Sequence, residues 1–179
     1  MHPALSVIVF TVASGAGFGL VTLTLLLSLL GLAVFPETLA GVLSGAALAT
    51  VGLLSSTLHL ANPRNAWRAF MRFRSSWLSR EAVLALTFYP VIVVFLLGYW
   101  SSGAMTGWLA ALAVLAMLLA LGTVFTTGMI YASLRTIPQW NSALVPANYL
   151  LLALASGAVL LLALKALSGG VSDAPMLLT

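Results

Sequence analysis

Long uncharged runs constrain this chain more than any other feature. From Ala4 to Leu58 the only charged side chain is Glu37, and none lies between Glu81 and Arg135 or between Arg135 and Lys165. Hydrophobic residues make up 62% of the 179 positions and charged ones 6%, against about 25% charged in a soluble domain. A chain so poor in charge cannot build a water-facing shell, so the sequence predicts an integral membrane protein. Its apolar residues come in whole blocks with no alternation of period two, which favours helices over a transmembrane barrel. The expected fold is all-α, a polytopic helical bundle of about five spans forming a single membrane domain over residues 1–179. The first block is too long for a signal peptide and lacks a basic leader, so it reads as a retained span. There are no cysteines, which rules out Cys-ligated iron–sulfur clusters, thiolate zinc and disulfides within the chain.

The spans are expected at about 4–34, 38–60, 80–100, 107–134 and 146–167. Gly15 and Gly19 in the first, and Gly41 and Gly45 in the second, are each four apart. Small residues on one helix face let another helix approach closely; a phosphate-binding glycine loop would need a preceding strand, which a mid-membrane segment lacks. Phe35-Pro36-Glu37 reads as a minimal turn, Ser79 as the cap of the third span, and Pro90 as a kink within it.

One polar interruption, Ser55 to Glu81, holds five of the six arginines, one of the two histidines and one of the three carboxylates. Asn62-Pro63 suits a helix start. Over 63–77, Ala66, Phe70, Phe73 and Trp77 fall in a sector of roughly 60°, with Arg64, Arg68 and Arg72 opposite. That pattern predicts an interfacial amphipathic helix. Alternating the spans places the 61–80 and 135–145 loops on one side of the membrane, with every arginine; Lys165 is on the other. The positive-inside rule would make the arginine side cytoplasmic, unless the arginines serve a partner protein.

On that side His59 ends span 2, Glu81 starts span 3, and Tyr131 with Arg135, four apart, ends span 4. Each has an ordinary explanation. Glu81 in a first helical turn is stabilised by the helix dipole by about 0.3–1 kcal/mol. His59 fits a satisfied interfacial histidine, Tyr131 and Trp140 fit an aromatic belt, and the arginines fit topology and lipid headgroups. The chemistry that fits them jointly is quinol oxidation. A lipid-soluble quinol needs a site near the interface, with partners that accept protons from its oxygens, as His and a partly desolvated Glu can. Its electrons would have to leave through a partner, since the chain has no thiolates. A b-type haem needs paired axial histidines, and His2 and His59 are poorly placed for that. An ion-coupled transporter would carry ionisable groups at mid-bilayer.

Three stretches resemble the membrane-anchor subunit of dimethyl sulfoxide reductase, the DmsC-type family: HPALSVIVFTVASGAGFG, LHLANPRNAWRAFMRFRSSWLSRE and IYASLRTIPQWNSALVPANYL. The second matches the family's His-Leu-Gly-x-Pro and Ser-Trp-Leu-Ser-x-Glu elements in order and spacing, with Ala61 standing where Gly is usual. The resemblance implies a subunit of a heterotrimeric molybdopterin oxidoreductase in the bacterial inner membrane, binding and oxidising menaquinol in anaerobic respiration. Electrons would pass to an iron–sulfur subunit docked on the arginine-rich face and on to a molybdopterin catalytic subunit, with no haem or metal in this chain. It implies His59 and Glu81 as the quinol-site residues and matches Tyr131 in the third stretch; apart from the resemblance, the neighbouring arginines Arg64 and Arg135 are expected to shape the binding site. The alternatives are a purely structural anchor without a quinone site, or a small transporter. The family usually has eight spans against about five here; the candidate site falls within spans 2 to 4.

Overall fold

A computed structural model describes residues 5–57, 67 and 71–172. Five helices follow in order: α1 (Leu5–Leu29), α2 (Phe35–Thr57), α3 (Trp77–Ser102), α4 (Gly107–Ala132) and α5 (Leu144–Ser172). All five are long and apolar enough to cross a membrane, so the chain is a multi-pass helical membrane protein. Consecutive helices alternate in direction, leaving the end of α2, the start of α3 and the 133–143 connection at one end of the bundle and the short 30–34 and 103–106 turns at the other. These ends are called the arginine end and the turn end.

Helix α1 lies at the centre, packed against α2, α4 and α5, while α3 packs on α4. Lipid tails are as apolar as leucine, so these contacts rest on close backbone approach rather than on the hydrophobic effect. The glycine pairs supply that approach on two faces of α1. A Cβ at Gly45 would press to 2.8 Å from the Gly17 carbonyl oxygen of α1. On the other face a Cβ at Gly19 would collide with the Ala153 carbonyl, and one at Gly157 with the Gly19 backbone. The expectation that Gly15 and Gly19 admit a neighbouring helix therefore holds, and the neighbour is α5.

Aromatic rings fill the remaining core. Phe18 of α1 meets Phe88 of α3 edge-on at 5.2 Å, and Tyr99 stacks on both Phe95 and Phe35. The Thr50 and Tyr89 hydroxyls share a hydrogen bond of 2.8 Å that links α2 to α3. Most buried hydroxyls satisfy themselves within their own helix. Ser14, Thr22 and Thr123 each donate to the carbonyl four residues back, as a site without water requires.

Helix boundaries depart from the sequence expectation where local hydrogen bonding decides. Helix α1 stops at Leu29, short of residue 34, because Gly31 turns to φ 70°. The Leu32 amide then donates to Leu27 O and the Gly31 amide to Ser28 O, the paired bonds of a Schellman cap. Helix α2 begins at Phe35, inside the expected turn. Glu37 Oε2 accepts the Val34 amide at 3.3 Å, the backward half of a capping box. Helix α3 begins at Trp77 and its cap is Ser76, whose side chain accepts the Ser79 amide; Ser79 is inside the helix. The helix continues through Pro90 to Ser102. Residues 71–72 form a 3₁₀ turn and 73–75 a further turn, so the expected interfacial helix does not reach 77; 63–66 and 68–70 lie outside the described residues.

Candidate functional site

The arginine end gathers the polar groups. Glu81 is the fifth residue of α3, one helical turn beyond the cap and about 6 Å along the axis from Trp77 at 1.5 Å per residue. It is therefore not a first-turn carboxylate, and the dipole explanation loses its geometric basis. Its side chain is 5% exposed. Oε1 accepts a hydrogen bond from Thr127 Oγ1 of α4. Thr127 lies five residues before the end of α4, about 7.5 Å along its axis, so antiparallel packing brings the two to one depth. Thr127 is itself 4% exposed, and its oxygen also lies 2.9 Å from the Thr123 carbonyl.

One turn nearer the surface, Tyr131 stacks on Tyr149 of α5 at 5.7 Å and meets Trp140 edge-on at 5.3 Å. Trp140 reaches this position because the loop after α4 is folded back: Asn141 Nδ2 donates to Ala132 O at 2.7 Å, and the Trp140 amide donates to Ile137 O. Tyr131, Tyr149 and Trp140 line a cleft of about 230 Å³ with Val7, Ile8, Thr11 and Val145. It adjoins a second cleft of about 370 Å³ between α1 and α5, which shares Thr11 and Tyr149.

The guanidinium groups divide. Arg80 is committed to the chain itself: Nε donates to Phe73 O, Nη2 donates to Arg74 O, and the group lies 4.1 Å over the Trp77 ring. It ties the turn at 73–75 to the start of α3. Arg72, Arg74 and Arg135 are exposed, and no carboxylate among the described residues pairs with them. Arg135 does not share a helix face with Tyr131, because α4 ends at Ala132 and Arg135 falls in the turn beyond it. Of the sequence candidates, the structure thus brings Glu81 and Tyr131 to one end of one helix pair and leaves Arg135 outside. His59 and Arg64 lie outside the described residues. Helix α2 is held nearby up to Thr57, with Ser55 Oγ donating to Ser6 O of α1 at 3.0 Å. Thr127 and Tyr149, which contact Glu81 and Tyr131, are members of this constellation that sequence reasoning missed. No group of three potential metal-ligating side chains occurs among the described residues.

Comparison with known proteins bears on this constellation. The family model for the DMSO reductase anchor subunit, DmsC, matches residues 1–176. The chain belongs to that family of membrane anchor subunits. It is also similar, at 32% identity over 185 aligned residues, to a sulfite dehydrogenase subunit of Allochromatium vinosum. That alignment covers 94% of this chain and 57% of the relative, so the chain spans little more than half of the relative's length. No solved structure matches.

Proposed function

We propose that the chain is the quinol-oxidising membrane anchor of a heterotrimeric molybdopterin oxidoreductase in the bacterial inner membrane. The observation that carries this reading is Glu81, a carboxyl buried within a membrane helix at the end where the aromatic cleft opens. Ionisable groups in such positions are costly and mark functional sites. Quinol, of which menaquinol is the form the family resemblance implies, loses two protons and two electrons on becoming quinone. Glu81 takes one proton and His59 the other, while Tyr131 and the aromatic cleft hold the ring near the membrane surface. The electrons leave to an iron–sulfur partner, since this chain supplies no thiolates. Exposed Arg72, Arg74 and Arg135 provide its docking surface, and Arg64 is a further binding residue for the quinol.

The name of the relative favours a second direction. A sulfite dehydrogenase would deliver electrons to the membrane, and an anchor serving it would reduce quinone, with Glu81 and His59 giving up protons instead of taking them. The same residues serve both directions.

Removing the imidazole tests the reading. In the assembled complex, His59→Ala is expected to abolish quinol-linked turnover while artificial-donor reduction by the peripheral subunits continues. Normal quinol-linked rates in that variant would sink the role given to His59, and a native complex without quinol-linked turnover would leave a purely structural anchor.

A further inference from the structure

Thr127 has one hydroxyl proton and two oxygens within hydrogen-bond reach. One is Glu81 Oε1 on α3 and the other is Thr123 O, one turn back on α4 at 2.9 Å. A threonine hydroxyl can donate once while accepting from another donor. When Glu81 is a carboxylate, Thr127 donates to it. When Glu81 carries a proton, the carboxylic acid donates to Thr127 Oγ1, and Thr127 turns its own proton to Thr123 O. Either state leaves no donor orphaned, and neither requires water or movement of a helix. Thr123 and Thr126 show the contrast. Each is buried, but their hydroxyls donate only to carbonyls of α4 itself. Of these three threonines, only Thr127 reaches an ionisable group on another helix.

We infer that Thr127 is the positioning residue for Glu81, a rotating hydroxyl that lets a buried carboxyl take up and release a proton without leaving its place between α3 and α4. This deepens the quinol-site proposal and rests on it only for the source of the proton. The proton is transferred between quinol oxygen and Glu81; Thr127 neither gains nor loses one and only reverses the sense of its hydrogen bond.

The experiment uses Thr127→Val, which removes the hydroxyl at nearly constant volume, and Thr127→Ser, which keeps it. Infrared difference spectra between acidic and alkaline buffer are recorded on the full chain in membranes. The carboxylic carbonyl band of Glu81 is assigned by its loss in Glu81→Gln. It is expected at higher frequency in Thr127→Val, where the acid has lost its acceptor, and back near the native position in Thr127→Ser. A band in the same place in all three proteins overturns the proposal, as does the absence of any Glu81 band. If the valine variant does not accumulate, Thr127→Ala makes the same comparison. Turnover in the assembled complex separates the two levels. Thr127→Val is expected to lower quinol-linked kcat by roughly tenfold to a hundredfold, the scale of a misplaced reacting group, with KM little changed and with rescue by serine. A shifted band with unaltered turnover leaves Thr127 as the partner of Glu81 and overturns the quinol role of that carboxyl instead.

Discussion

Glu81 shows how far a single residue can be read from sequence. It stands out as an isolated carboxylate at the edge of an uncharged run, but its setting differs from expectation. The segment Ser75-Ser76-Trp77-Leu78-Ser79 offers three serines able to cap a helix. Trp77 packs edge-on against Phe125 of α4 at 6.2 Å, within the helix that Ser76 caps. That choice carries Glu81 out of the first turn and into the interior. Glu81→Gln keeps a side chain able to bond Thr127 while removing the proton-accepting carboxylate. It is expected to accumulate in membranes at the native level and to lose quinol-linked turnover by about 10² or more, the usual scale for general acid–base groups; a complex assay with separate quinol and artificial donors checks both. Thr127 was not legible at all. Threonines in membrane helices commonly bond their own backbone, and nothing in the order Thr123, Thr126, Thr127 marks the last as different. Only the register of α3 against α4 does so.

At the scale of elements the spans themselves were legible, because a run without charge has few alternatives to a membrane helix. Their ends were not, because a cap depends on one or two hydrogen bonds. Replacing Ser76 by Ala removes the acceptor for the Ser79 amide and is expected to cost about 0.5–2 kcal/mol, read as a lower midpoint of unfolding in detergent. The glycine spacing correctly indicated close packing, whereas the identity of each neighbour required the fold. Gly19→Val forces a side chain into the Ala153 backbone and is expected to destabilise the α1–α5 contact by about 1–3 kcal/mol or more. Gly107→Ala is the control. A Cβ there meets nothing within 4 Å, and the substitution is expected to leave the midpoint unchanged or raise it slightly. Equal effects at the two positions would contradict the packing described for α1.

For the whole molecule, the alternation of five spans separates an arginine end from a turn end. At the turn end the Lys165 ammonium lies 3.5 Å from Glu37 Oε2 and the same distance from the Leu32 carbonyl. These contacts join the start of α2 to the end of α5. The pair is partly exposed, so it is expected to contribute only about 0–1 kcal/mol. The native chain has no cysteine, so topology can be read directly. Ser75→Cys and Ser133→Cys are expected to react with a membrane-impermeant thiol reagent from one side, and Gly103→Cys from the other. Labelling of all three from the same side would contradict the bundle. Which side carries the arginines decides where an electron-transfer partner can dock, a question that counting positive charges leaves open when those charges serve a protein interface. The central claim is that a quinol binds at the arginine end beside Glu81. Its most direct test is fluorescence quenching of a quinone-analogue inhibitor titrated into membranes bearing the assembled complex. Saturable quenching in the native protein and its loss in Glu81→Gln is the predicted result; no quenching in the native protein, or identical quenching in both, would contradict it.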